Sequence, residues 1–149
     1  MIGPATAFGL GGNLAILGWL GLIASLFVAK IRPAVQAATR VAIPALLAIA
    51  YGLLIYAGFA EAPDGGFGSL AEVRALFASH SALAAGWLHY LAFDLFVGSW
   101  MVADGLDRRI PAPLIMLCLP LTFLFGPLGL LLFILLRLAF QRRQSAEIL

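Results

Sequence analysis

One apolar stretch, Trp87-Leu-His89-Tyr90-Leu-Ala-Phe-Asp94-Leu-Phe-Val-Gly98-Ser-Trp100-Met-Val-Ala-Asp104-Gly105, carries two carboxylates and an imidazole. Asp94 falls near the middle of this run. If the run crosses a bilayer, an ionised carboxylate there costs at least ~2.5–3.5 kcal/mol, so it must be protonated, paired or turned to a polar cavity. It reads either as an acid–base group or as a hydrogen-bonded strut between helices. His89 is an imidazole, a side chain suited to proton transfer. Its plainer reading is a packing histidine, which when buried must find hydrogen-bond partners. Asp104 stands at the C-terminal end of its helix, where the macrodipole disfavours an anion. It reads either as an ion-pair partner of Arg108 or Arg109 or as the polar rim of a site. His89, Asp94 and Asp104 are the candidate catalytic residues.

His80, Trp87, Asp94 and Met101 recur every seven residues, which puts them on one helical stripe. Ala84, Leu91 and Gly98 lie between them, so bulky and small side chains alternate and leave a groove for another helix or a ligand. Trp87 and Trp100 can wall a long apolar ligand. Tyr90 and Gly98 are further candidate ligand contacts. Tyr51, on another span, reads first as an interfacial anchor and second as a ligand contact. His89 is off the stripe and cooperates with Asp94 only if the site wraps around this helix or a ligand bridges them. His80 reads as a solvated histidine at a helix end. Two histidines on one helix cannot build a histidine-box di-iron centre or hold one haem from both faces, so no metal site is expected. No Walker loop, GxSxG elbow, HExxH or aspartate-rich prenyl motif occurs. The chain calls for no cofactor, and a carboxylate with an imidazole leaves acid–base chemistry or ligand placement.

The elements that position these groups are membrane helices. Of 149 residues, 63% are hydrophobic and 11% charged, against roughly half and a quarter in soluble domains. So much apolar surface requires lipid as solvent. The net charge of +2 comes from basic residues standing singly or in pairs at the ends of apolar runs. They mark loops and headgroups, and without a basic stripe nucleic acid is not a partner. Cys118 is alone and forms no intrachain disulfide. The uncharged side chains of Met1 to Phe8 lack the basic region of a cleaved signal, so the first apolar run is expected to be a retained span. Arginine outnumbers lysine, and alanine, glycine and leucine abound. This composition points to a multi-pass protein of a bacterial inner (cytoplasmic) membrane.

The expected fold is all-α: a polytopic membrane helix bundle of four transmembrane helices plus a short interfacial helix before the third span, in a single domain over 1–149. The spans read as about 7–29, 41–59, 82–103 and 114–136. Asn13, the strongly polar residue of the first, is placed near the interface. Residues 33–40 read as a short basic connection, with Thr39 as N-cap and Pro44 in the first turn of the second span. An acidic, turn-rich loop follows over 61–69. Ser69 and Glu72 make a capping box that opens the interfacial helix, about 70–78, whose Leu70, Val73 and Phe77 share a face. A bend is expected near Ser79-His80-Ser81, and Gly105 is read as the C-terminal stop of the third span. Pro120 and Gly126-Pro127 are expected to kink the fourth. Four crossings place Lys30, Arg32, Arg40, Arg108 and Arg109 on one side, with Arg74, Arg137, Arg142 and Arg143 on the other. Five against four decides little under the positive-inside rule. A last segment that dips in and returns would give eight against one, but the four-crossing reading is retained because such segments are rarer and each limb would be short.

Three pieces of this sequence, His89-Tyr-Leu-Ala-Phe-Asp94-Leu-Phe-Val-Gly98, Asp104-Gly105-Leu and Phe125-Gly126-Pro127-Leu-Gly129-Leu-Leu, resemble the abscisic-acid-deficient-four-like family. Its plant member is required for neoxanthin synthesis from violaxanthin. The resemblance implies a four-helix membrane protein that acts on or binds a carotenoid-like lipid, and it marks His89, Asp94, Asp104 and Gly105. The leading expectation is isomerase-type acid–base chemistry on a carotenoid or related isoprenoid. The alternatives are a non-enzymatic carotenoid- or lipid-binding assembly factor and a small proton-coupled transporter. Expected partners are a carotenoid or other apolar lipid ligand, membrane lipids, and further copies or a larger membrane complex.

Overall fold

The computed structural model describes residues 3–146, and among them every regular element is helical. The order is α1 (Pro4–Phe27), a 3-10 turn (Ala29–Ile31), α2 (Arg32–Ala37), a π-helical turn (Ala38–Ala42), α3 (Ile43–Glu61), α4 (Leu70–Leu76), α5 (His80–Asp107), α6 (Ala112–Phe125) and α7 (Pro127–Ala146). Three helical stretches are long and apolar enough to cross a membrane: Pro4–Phe27, Ala29–Glu61 and His80–Asp107. In hydrocarbon each backbone N–H and C=O must be satisfied within the segment, which is why these runs are helical.

The second stretch corrects the expected connection over 33–40. The chain stays helical there because Pro33 stands in the first turn of α2, where a proline is tolerated. Pro44 has no N–H to offer the Arg40 carbonyl and would clash with it. The wider π turn just before Pro44 absorbs that mismatch without ending the helix. Thr39 is therefore no N-cap; it is buried and its Oγ1 donates to the Val35 carbonyl at 2.8 Å.

Two compact units are formed, Met1–Ile16 with Ile43–Phe93 and Leu17–Ala42 with Asp94–Leu149. In the first, small residues let backbones meet. A Cβ at Gly58 would lie 2.8 Å from the Ala82 nitrogen, so α3 touches the start of α5 backbone to backbone, and one at Gly11 would collide with Leu88. Half of the expected capping box opens α4: Ser69 Oγ accepts from the Glu72 N–H at 3.2 Å, while Glu72 Oε2 accepts from the Gly68 N–H at 2.9 Å, one residue before the N-cap that the full box would use. Leu76 is buried, whereas Leu70 and Phe77 on the expected apolar face are exposed. The chain bends over Phe77–Ser79 before α5, as expected.

In the second unit Gly105 does not end α5. The helix runs to Asp107 and closes with a Schellman motif, in which the Ile110 N–H donates to the Gly105 carbonyl at 2.8 Å and the Arg109 N–H to that of Leu106 at 3.0 Å. Arg109 takes the left-handed conformation, φ 56°, that glycine usually supplies. Gly105 is instead a packing notch, where an added Cβ would lie 2.7 Å from Ile115 and 3.3 Å from Phe133.

The same notch overturns the kinked fourth span over 114–136. Ile115 on α6 and Phe133 on α7 both reach Gly105. In one continuous helix, eighteen residues would separate them by about 27 Å. The break falls at Gly126, with φ 30° and ψ −86°, followed by Pro127 as the first residue of α7. A glycine accepts the positive φ, and a proline accepts a helix start, where its missing N–H is no loss. Thr122 and Gly129 then meet so closely that no side chain fits at 129. α6 and α7 are the two arms of a helical hairpin. α6 continues through Pro120 to Phe125.

Candidate functional site

Within the first unit the start of α5 is an aromatic surface. Trp87 lies 5.3 Å, centroid to centroid, from both Phe8 of α1 and Tyr90 one turn on. The bend after α4 returns Phe77 onto Gly86, where an added Cβ would come within 2.6 Å of the ring. These rings border a cleft of about 720 Å³ lined by Pro4, Ala5, Phe8, Phe77, His80, Leu83, Ala84, Gly86 and Trp87. Phe8 is 48% exposed and Trp87 41%, so the cleft has a broad open side. Such a shape suits a long apolar molecule taken up from the lipid, and His80 is its titratable group.

A second cleft, of about 400 Å³, runs along α1, α3 and α5 of the same unit. Its walls are leucine, alanine, glycine and proline side chains, and Glu61 and Ser81 supply its polar lining. Glu61 accepts hydrogen bonds from Ser79 Oγ at 2.5 Å and Ser81 Oγ at 2.7 Å. Ser79 Oγ in turn accepts from the Ala82 N–H at 3.2 Å, in the unsatisfied first turn of α5. Pro4 borders both clefts.

The residues singled out from the sequence are distributed between the two units. Trp87 lines the aromatic cleft and Tyr90 packs on it. His89 is exposed and stacks on Phe93 at 4.6 Å, with the Tyr51 ring at 5.7 Å, so Tyr51 and His89 keep each other's company outside both cleft linings. In the second unit the Asp94 carboxylate faces the hairpin tip. Both its oxygens are 3.0 Å from where a Cβ of Gly126 would stand. That is the start of α7, whose dipole favours an anion.

Gly98 is filled by the Trp19 ring, 2.5 Å from an added Cβ, and forms no groove. Trp100 packs edge-on against Phe133 at 5.2 Å, under the Arg137 guanidinium at 5.9 Å. Asp104 Oδ2 accepts from Arg108 Nε at 2.8 Å and Arg137 Nε at 3.0 Å. Its ion-pair reading is thus realised, with Arg137 in place of Arg109, and two cations offset the unfavourable end of the dipole. Gln36 and Ser99 exchange two hydrogen bonds, at 3.1 and 2.7 Å. Trp19 Nε1 and Arg40 Nε are buried without a hydrogen-bond partner among the described residues.

Sequence reasoning did not single out Phe8 or Glu61 and read Phe77 only as part of an interfacial face; His80, read as a solvated helix-end histidine, is exposed and also lines the cleft. The seven-residue step from His80 to Trp87 was the available signal, because it marks the face of α5 that the cleft uses.

No curated protein and no solved structure matches this chain. A family model described as ABA DEFICIENT 4-like matches residues 6–133, from the first turn of α1 into the second arm of the hairpin at Phe133. This stretch is most of the chain and contains the aromatic cleft except Pro4 and Ala5, the Asp94–Gly126 contact and the Gly105 notch, and the chain belongs to the ABA DEFICIENT 4-like family.

Proposed function

We propose that this protein binds a carotenoid-like isoprenoid within a bacterial cytoplasmic membrane and presents it for modification. The observation that carries the reading is the open aromatic cleft of about 720 Å³ between Phe8, Phe77 and Trp87. Ring faces suit a flat polyene or its end ring. The cleft draws its ligand sideways from lipid, so no aqueous entry is needed.

The membrane arrangement belongs to the same proposal. α1, the Ala29–Glu61 stretch and α5 cross, the α6–α7 hairpin enters and leaves on one side, and α4 lies in the interface with Leu70 and Phe77 toward lipid. Lys30, Arg32, Arg40, Arg108, Arg109, Arg137, Arg142 and Arg143 then share a side and Arg74 stands on the other. The positive-inside rule places the eight in the cytoplasm.

Isomerase-type acid–base chemistry is the enzymatic form of this proposal. His80 lines the cleft and can exchange a proton with a polar end group of the ligand. His89 and Asp94 are the further candidates. The test is purification from a host that makes carotenoids, followed by the absorption spectrum of the protein and the pigment profile of the cells. Bound pigment is expected in the wild type and a several-fold loss in Phe8→Ala/Trp87→Ala. Equal pigment in both preparations would refute the cleft as the binding site. Pigment profiles unchanged in His80→Ala, His89→Ala and Asp94→Asn, in a strain where deletion alters them, would leave binding without catalysis.

A further inference from the structure

Asn13 lies on α1 only 2.5 residues from the midpoint of Pro4–Phe27, about 4 Å along the axis. It is therefore deep in the span and not near the interface, as its sequence position had suggested. Its side chain is exposed and makes no hydrogen bond among the described residues. An amide in hydrocarbon with nothing to bond is costly, and an asparagine so placed needs a partner outside its own chain.

The surface around it is built for close approach. Gly9, one turn before Asn13, is exposed, and a Cβ added there would meet nothing within 4 Å, nor would one at Gly12. These glycines are not required by packing within the protomer. They leave bare backbone beside the amide, and Ile16, 45% exposed, continues the face one turn on. Small residues flanking a polar side chain are what associating membrane helices use.

We infer that this face of α1 docks against the same face of a second copy of the chain, with Asn13 opposite Asn13 across a two-fold axis. The occupant follows from the chemistry of the group. A carboxamide is both donor and acceptor, so two related by a two-fold axis satisfy each other with a reciprocal pair of hydrogen bonds. The bare backbone at Gly9 lets the helices approach closely enough to form them.

The test is the association of the full chain in liposomes, measured by single-molecule photobleaching across a range of protein-to-lipid ratios. The wild type is expected to dimerise. Asn13→Leu is expected to weaken association about tenfold or more, since two interhelical hydrogen bonds are lost. Gly9→Ile should weaken it through distance alone. Neither variant should shift the thermal midpoint of the detergent-solubilised monomer, because both sites face away from the protomer. In a Cys118→Ser background, Asn13→Cys should cross-link to itself on oxidation. Gly52→Cys, at an equally open position on α3, should not. A monomeric wild type, association unchanged in Asn13→Leu, or equal cross-linking at 52 would each overturn the inference. So would a monomeric chain whose Asn13→Leu variant loses bound lipid, since Asn13 would then be a ligand contact. Pigment retention that survives Asn13→Leu separates this outcome from the fate of the cleft.

Discussion

Replacing Gly129 by alanine tests the hairpin, because the two ways of running the last segment predict opposite signs. In the hairpin, a Cβ at 129 would stand 2.3 Å from the Thr122 backbone nitrogen and 2.6 Å from its Cα. Ordinary contact begins near 3.4 Å, so the arms must part by 3.4 − 2.3, about 1 Å. Rotation of a side chain does not relieve this, since the obstacle is backbone. Thr122 Oγ1 is itself committed to the Cys118 carbonyl at 2.9 Å. Overpacking of this kind costs about 1–3 kcal/mol. At roughly 2–4 °C per kcal/mol for a chain of this size, the thermal midpoint in detergent should fall by about 2–12 °C. In a continuous kinked helix, position 129 would be an interior helical glycine, and alanine there would stabilise by about 0.5–1 kcal/mol. Gly52→Ala is the control, since a Cβ there meets nothing within 4 Å; it should match or exceed the wild type. A Gly129→Ala midpoint at or above that of the wild type would refute the hairpin.

Gly126→Ala should also destabilise, by about 1–2 kcal/mol for a non-glycine residue at positive φ, because its Cβ would press on both oxygens of Asp94. A thermal midpoint unchanged from wild type would remove the tip geometry. Asp104→Asn loses the charge shared by Arg108 and Arg137, and at partly buried positions this should cost about 1–2 kcal/mol; a double-mutant cycle with Arg137→Gln should show coupling of about 0.5 kcal/mol or more. Additive effects would mean that the pair contributes nothing. Reporter fusions at the C-terminus and in the 107–111 loop should report the same, cytoplasmic side, with a fusion near Glu72 on the other. Opposite sides for the first two would restore a fourth crossing.

Much of this architecture is legible in the amino-acid order. The α4 cap was readable because Ser69 and Glu72 satisfy a local rule over four residues. The bend at 77–79 was readable because an unbroken helix from 70 to 102 would overrun the bilayer. The helix stop at Gly105 was misread because glycine answers two needs. One is a positive φ at a helix end, which Arg109 meets instead. The other is room for Ile115 and Phe133, which no local rule contains. The surroundings of the candidate residues were out of reach of the sequence for a similar reason. A mid-span Asp94 shows from the sequence that a charge must be accommodated, but not that a helix start at Gly126 stands beside it.

The residues alone establish that lipid is the solvent, that the chain is helical, that it holds three long apolar spans, and that α5 carries an unusual carboxylate. These follow from composition, run length and period, which act within one segment. Whether the Gly126-Pro127 break bends a helix or reverses it was left to tertiary packing, because both outcomes obey the same local chemistry. Gly129 against Thr122 and the notch at Gly105 decide for reversal. The aromatic cleft is tertiary in the same sense. Phe8 on α1 is some seventy residues from Phe77 and Trp87, which stand on either side of a bend, and only their packing makes one surface of them.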